Sequence, residues 1–256
     1  MKVLFLIAMS LSSMIVSSQM VHQNDDGRTI TIPVIFHVIS SKKNVEIDSY
    51  VTSELIKKEI EDLNANYSAS NDMTNLHSDF KSKVGNPNIK FYLADYKVKN
   101  GVSGIIRKTK PNKSSKIEPS NYLNIFITEG GNTTSMSPGH NVSINYKDVG
   151  KGGQTVTHEL GHYFGLWHVW GSSNCRKIKW FSNRSDYIKD TPEQKNCTDI
   201  SRKKPCPTVL DNSNKNFNNF MDYSSCRCMF TKEQAVKMRI NIINDRPEIY
   251  KNSKIN

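Results

Sequence analysis

The stretch His158-Glu159-Leu160-Gly161-His162-Tyr163-Phe164-Gly165-Leu166-Trp167-His168 constrains this chain more than any other. Residues four apart on a helix project from one face, so His158 and His162 can offer imidazole nitrogens to a single metal ion. Glu159 then lies beside that ion. Gly165 supplies the residue without a Cβ that a sharp left-handed helix exit requires, and the returning chain brings His168 back as a third ligand. Three protein ligands leave a fourth position for water, the pattern of a catalytic zinc; a structural zinc closes its shell with four ligands, usually including cysteines. A lone histidine is more often a buried ring bonded to backbone. Three at this spacing, with the glutamate and glycine, arise by accident on the order of 10⁻⁵ times per sequence, which reverses those odds.

The 256 residues are enough for one large domain or two lobes. The formal charge of +11 comes from lysines scattered along the chain, without a basic helix or a nucleic-acid recognition motif. That charge favours acidic partners or anionic matrices, and nucleic acid is not expected. Residues 1–18 have the form of a secretory signal: Lys2, an apolar run from Val3 to Val16, then Ser17 and Ser18. Cleavage there predicts a secreted, extracellular protein with no membrane insertion afterwards. In that compartment the cysteines are expected in disulfides. Cys175, Cys197, Cys206 and Cys228 are the expected bridge members, with Cys226 as the candidate for the unpaired fifth. Sequons begin at Asn66, Asn112, Asn132, Asn141, Asn183 and Asn196, for which chance in an asparagine-rich chain is an equally good account.

Residues 19–28 form a short polar N-terminal segment, and 29–168 a first subdomain that ends on the zinc motif. Within it Thr29 to Ser40 is β-branched and reads as a strand, with Pro33 suited to an edge or entry. Asp48 to Asn66 has the spacing of an amphipathic helix backing a sheet. Strands follow at Ile89 to Val98, Gly104 to Arg107, Tyr122 to Thr128 and Asn141 to Tyr146, the last expected to offer a free edge to an extended peptide. Residues 169–256 form a second subdomain, irregular until a helix from Thr231 to Asn244 opened by a Thr231/Gln234 capping box.

The motif from His158 to His168 carries the metzincin signature, and Asn219-Phe220-Met221-Asp222-Tyr223 resembles the methionine turn of those proteases. His168-Val169-Trp170-Gly171, Asp190-Thr191-Pro192 and the run from Met221 to Thr231 resemble the pappalysin (cytophagalysin-like) group, as do the segments IPVIFHVIS and YLNIFIT. Astacins place Glu after the third histidine and adamalysins Asp; Val169 fits neither. The resemblance implies an α+β fold: a twisted, mixed five-stranded sheet with a backing helix and an active-site helix, above a smaller irregular C-terminal lobe. It implies a zinc-dependent endopeptidase. His158, His162 and His168 would bind Zn²⁺, Glu159 would be general base, Tyr223 would hydrogen-bond the reaction intermediate and Met221 would form the floor. It also implies Ca²⁺ near Asp186, Asp190 and Thr191, whose oxygens suit a hard cation. The alternative is a secreted zinc-containing binding protein of the same fold without turnover.

Two departures bear on function. Relatives that cleave beside basic residues carry acids after the tyrosine, where this chain has Ser225, Cys226 and Arg227. If Arg227 lines the pocket, charge complementarity favours acidic or neutral substrate side chains. Relatives are often made with a latency segment, some donating a cysteine to zinc; residues 19–28 hold no cysteine, and Asp25 or Asp26 is the expected zinc ligand of a short latent form.

Overall fold

The computed structural model describes residues 25–40, 46–99, 101–108, 121–134, 142–171, 175, 185–194, 196–198, 205–212 and 214–255. The signal assignment and most of residues 172–184 lie outside them. Strand β1 (Ile30–Ile39) is buried almost throughout, as an apolar run covered on both faces must be. Helix α1 (Glu46–Tyr50) is followed by α2 (Ser53–Tyr67), so the expected single helix is two. The Thr52 side chain accepts the Leu55 N–H and restarts the helix at a proper N-cap. Next come β2 (Val84–Gly85), β3 (Ile89–Leu93), β4 (Ile105–Lys108), β5 (Leu123–Thr128), β6 (Val142–Asn145) and helix α3 (Gln154–Tyr163). The chain ends with β7 (Phe230–Thr231), α4 (Lys232–Asp245), α5 (Pro247–Asn252) and β8 (Lys254–Ile255).

The main sheet has six strands in the order β3-β1-β5-β6, with β4 and β8 also paired to β1. All pairings are parallel except β1 with β8, so it is a mostly parallel mixed sheet with one short strand more than expected. Strand β1 is central, which corrects the edge reading of Pro33. The Ile30 N–H bonds on the β3 side, so the Pro33 nitrogen faces the other way, between the end of β8 pairing at Thr31 and the start of β5 pairing at Val34. No ladder bond is lost there. The free-edge expectation for β6 is also revised, because Thr133 pairs antiparallel with Ser143 through two backbone bonds of 2.9 and 2.8 Å.

One apolar cluster runs from Ile30 to Ile249, joining β1, β5 and β6 to α2, α3 and α4. Tyr67 ties the layers together: its ring meets Phe91 edge-on at 5.0 Å and its hydroxyl donates to Thr157 O at 3.1 Å. A second cluster of Phe80, Phe217, Cys226 and Met229 sits under the irregular segments. There Cys206 is bonded to Cys226 with Cα atoms 5.8 Å apart, whereas the Cys175–Cys197 bridge, Cα atoms 5.1 Å apart, packs on the main cluster. This corrects the cysteine assignment. Cys226 packs in that cluster against Cys206, while Cys228 is the buried free thiol, its N–H given to Asn218 O. The sequon at Asn66 is likewise ruled out for the folded chain, since its amide is buried and donates to Thr157 Oγ1 at 2.9 Å.

The N-terminal aspartates do not reach the histidines. Asp25 receives Arg239 Nε at 2.7 Å and Nη2 at 2.5 Å, and Asp26 receives Arg28 Nε at 2.7 Å. A buried guanidinium needs acceptors for its donors, and Arg239 finds the others at the Pro87, Asn88 and Arg28 carbonyls. The latency role expected of Asp25 and Asp26 is therefore incompatible with this arrangement.

Candidate active site

Helix α3 begins at Gly153, which takes φ +66°, and buries seven of its ten residues. Gly161 lies where a Cβ would collide with the Met221 sulfur, so the helix and the turn around Met221 approach as only glycine allows. After Tyr163 the chain reverses at Gly165, φ +89°, with Gly165 N–H on His162 O at 2.8 Å and Leu166 N–H on Gly161 O at 2.9 Å. This return sets His168 opposite the helix. Its Nε2 lies 3.2 Å from His158 Nε2 and 3.0 Å from His162 Nε2. Nitrogens at about 2.0–2.1 Å from a tetrahedral zinc stand about 3.3 Å apart, so the spacing fits that ion.

The other ring nitrogens fix the tautomers. His158 Nδ1 donates to Phe220 O and His162 Nδ1 to Leu166 O, each at 2.7 Å, leaving Nε2 as the acceptor. Burial holds all three imidazoles below the usual histidine range, His168 at about 3 with help from His162 and Arg227. They are neutral at pH 7, as ligation requires. The His168 ring stacks on Trp170 at 4.4 Å and 7°, and Val169 N–H bonds Met221 O at 3.3 Å, pinning the third histidine to the turn below.

Glu159 is 7% exposed, and burial raises its carboxyl to about 7 against the lowering charge of Arg227. Tyr223 is 48% exposed with its ring 5.5 Å from that of His158 and 5.0 Å from that of His168. Its hydroxyl is raised by burial and then by Glu159, which puts phenol and carboxylate on one site. Met221 is fully buried beneath the helix. Its N–H goes to Asn219 Oδ1 at 2.9 Å, and Asn219 in turn donates to Gln234 Oε1 at the head of α4. Asp222 is buried and accepts from Thr198 N, Gln194 Nε2 and Tyr223 N, so it stitches the turn to residues 194–198. Phe220 O, Leu166 O, Trp170 and Asp222 went unread in the sequence; only Trp170, two residues past a ligand, carried a local signal.

Asp186, Asp190 and Thr191 lie together near α4. Asp190 Oδ2 accepts Glu233 N–H at 3.0 Å, capping that helix. Asp186 Oδ2 and Asp190 Oδ1 are buried without a hydrogen-bond partner, and burial pushes the Asp186 carboxyl up to about 7 against the lowering contacts of the Ile188 N–H and the Thr191 hydroxyl. Buried oxygens in that state fit a hard cation. Arg227 lies across the first turn of α3: Gln154 Nε2 donates to its carbonyl at 3.0 Å, and its Nη1 donates to Asp222 O at 3.1 Å.

Residues 144–243 match the peptidase family model described as Pregnancy-associated plasma protein-A. An extracellular metalloprotease of Aspergillus fumigatus is 42% identical over 93 residues, 34% of this chain and 26% of that protein. One of Neurospora crassa is 28% identical over 240 residues, 82% of this chain and 74% of that protein. Among solved structures, Tannerella forsythia mature mirolysin in complex with a cleaved peptide superposes with a TM-score of 0.62 at 27% identity, covering 87% of this chain and 96% of that one.

Proposed function

We infer that this pappalysin-type metzincin is a secreted endopeptidase that hydrolyses internal peptide bonds of proteins with a zinc ion held by His158, His162 and His168. The observation that carries the reading is the convergence of three neutral imidazole Nε2 atoms beside a buried glutamate. Bound zinc supplies Lewis acidity, polarising the scissile carbonyl and making a water easier to deprotonate. Glu159, buried beside the ligand histidines, takes that proton as water attacks the carbonyl carbon and returns it to the amine that leaves. Tyr223 directs its hydroxyl at the oxyanion, and Met221 with Gly161 holds the ligand helix on its base.

A protein substrate and an extracellular setting are supported by the mirolysin complex with a cleaved peptide, by relatives named extracellular metalloproteases and by the signal-like residues 1–18. Among the described residues no helix is long and apolar enough to cross a membrane. We include Ca²⁺ at Asp186, Asp190 and Thr191 in this reading, on the strength of the unpartnered Asp186 Oδ2 and Asp190 Oδ1.

The test is Glu159→Gln. It should keep one zinc per chain and lose chelator-sensitive cleavage of denatured protein by about 10²-fold or more. Undiminished proteolysis would sink the assignment of Glu159, and an inactive parent at full zinc occupancy would favour a binding protein instead.

A further inference from the structure

A cavity of about 440 Å³ opens beside the first turn of α3, with Asn66, Asn71, Gln154, Ser225, Arg227 and Cys228 among its walls. Arg227 is the one basic residue lining it among the described residues. Its guanidinium also reaches the catalytic groups. Nη1 bonds Asp222 O at 3.1 Å, next to Tyr223, whose ring lies 5.5 Å from that of His158 and 5.0 Å from that of His168. Arg227 thus lines the cavity and is bonded to the turn that carries Tyr223.

The two acids on the cavity wall do not cancel it. Asp62 is paired with Lys58. Asp72 is exposed and has its carboxylate on the Thr74 N–H at 2.9 Å, out on the solvent side where charge is screened. Cys228 adds no anion, because burial and then Asp72 push its thiol up to about 12. Asn66, Asn71, Asn75, Gln154, Ser70 and Ser225 add amides and hydroxyls that can solvate a carboxylate, beside the apolar wall of Ala65 and Cys226. The volume admits a glutamate with room to spare.

We propose that Arg227 forms the base of a substrate subsite that takes a carboxylate side chain, Asp or Glu, from a residue flanking the scissile bond. The inference rests on the proteolytic reading of the site and deepens it by naming a class of substrate. Arg227 acts here as a specificity residue through a charge-assisted contact.

The test uses the zinc-loaded full chain and two readouts. A peptide library should show Asp and Glu enriched at one position flanking the cut, with kcat/KM for a Glu peptide about tenfold or more above its Lys counterpart. Arg227→Gln should collapse the Glu-to-Ala ratio of kcat/KM, Arg227→Asp should turn the preference toward Lys and Arg, and Arg227→Lys should restore part of the original. In parallel, calorimetry measures a reduced-amide peptide that cannot be cut, carrying Glu or Lys at that position. The parent should bind the Glu form about tenfold tighter, and Arg227→Gln should bind both alike. Cleavage with no acidic preference overturns the subsite and leaves the proteolytic reading standing. If the zinc-loaded chain cuts nothing, that reading falls, and the inert peptides still decide: equal binding of both by the parent removes the subsite too.

Discussion

Arg246 lies over the Tyr163 ring at 4.0 Å and at the same time donates Nη2 and Nε to the Tyr163 carbonyl at 2.6 and 3.2 Å. Tyr163 is the last residue of α3, and the next carbonyl, that of Phe164, is taken by Asn241 Nδ2 at 2.9 Å. Two side chains from the C-terminal part thereby satisfy the end of the helix that carries His158 and His162, and the Arg246 charge opposes the negative pole of its dipole. Arg246→Ala should lower stability by about 2–3 kcal/mol and weaken zinc affinity as well, with Arg246→Lys recovering part of both. Urea unfolding and a competitive zinc titration check this. A variant with lower stability and unchanged zinc affinity would separate the cap from the metal site.

The Asp25–Arg239 pair predicts a pH effect. The Arg239 hydrogen bonds hold the Asp25 carboxyl below its ordinary 3.8. An acid with a depressed folded value stabilises fully above the ordinary range, and the contribution is lost as pH falls through the folded value. Asp25→Ala should therefore be less stable than the parent at pH 7, by about 1–3 kcal/mol. The two should converge as pH falls below 3.8 and through the folded value. Parallel denaturation curves at pH 7 and at the lowest pH that keeps the chain folded give the comparison.

Glu59 works with the opposite sign. It is fully buried on α2, with Oε2 on the Gly150 N–H at 2.6 Å, and burial raises its carboxyl to about 7. The folded state binds this proton more tightly than the unfolded one, so stability falls as pH rises from about 4.5 through 7 and is level beyond. Glu59→Gln keeps an acceptor for Gly150 and removes that slope. At pH 8 it should exceed the parent by up to about 3 kcal/mol, and at pH 4 it should match it. Equal stability of the two at pH 8 would refute the buried charge.

Calcium binding at Asp186 predicts a ligand-dependent melting temperature. Millimolar Ca²⁺ should raise the Tm of the parent, and at about 100 times the dissociation constant the gain is about 2.7 kcal/mol. Asp186→Asn should abolish the rise. Scanning calorimetry with and without Ca²⁺, on zinc-loaded protein, reads it directly; a parent indifferent to Ca²⁺ removes the ion from this site.

What could be read ahead of the structure follows from the range of each interaction. The His158/His162 spacing, the Gly165 reversal and the Thr231/Gln234 cap act within a few residues, and all three appear in the structure as expected. Thr52 acts locally too, but its N-cap was hidden inside a continuous apolar pattern that a two-residue break does not disturb. The choice of Cys226 over Cys228 and the seizure of Asp25 by Arg239 depend on contacts across 20 and 214 positions. Nothing within the local sequence orders those. Pro33 shows the same limit: whether proline suits a strand depends on which neighbour its nitrogen faces.

The two backbone carbonyls that accept His158 Nδ1 and His162 Nδ1 come from separate segments, at Phe220 and Leu166. The distance between the two rings is therefore dictated by the main chain, and incoming metal finds a socket whose shape it cannot renegotiate. Such a socket selects. Magnesium and calcium, which want six or more oxygens, gain nothing from three rigid nitrogens, whereas zinc and its imidazole-binding neighbours do. Discrimination among metals is then a property of where two peptide oxygens point.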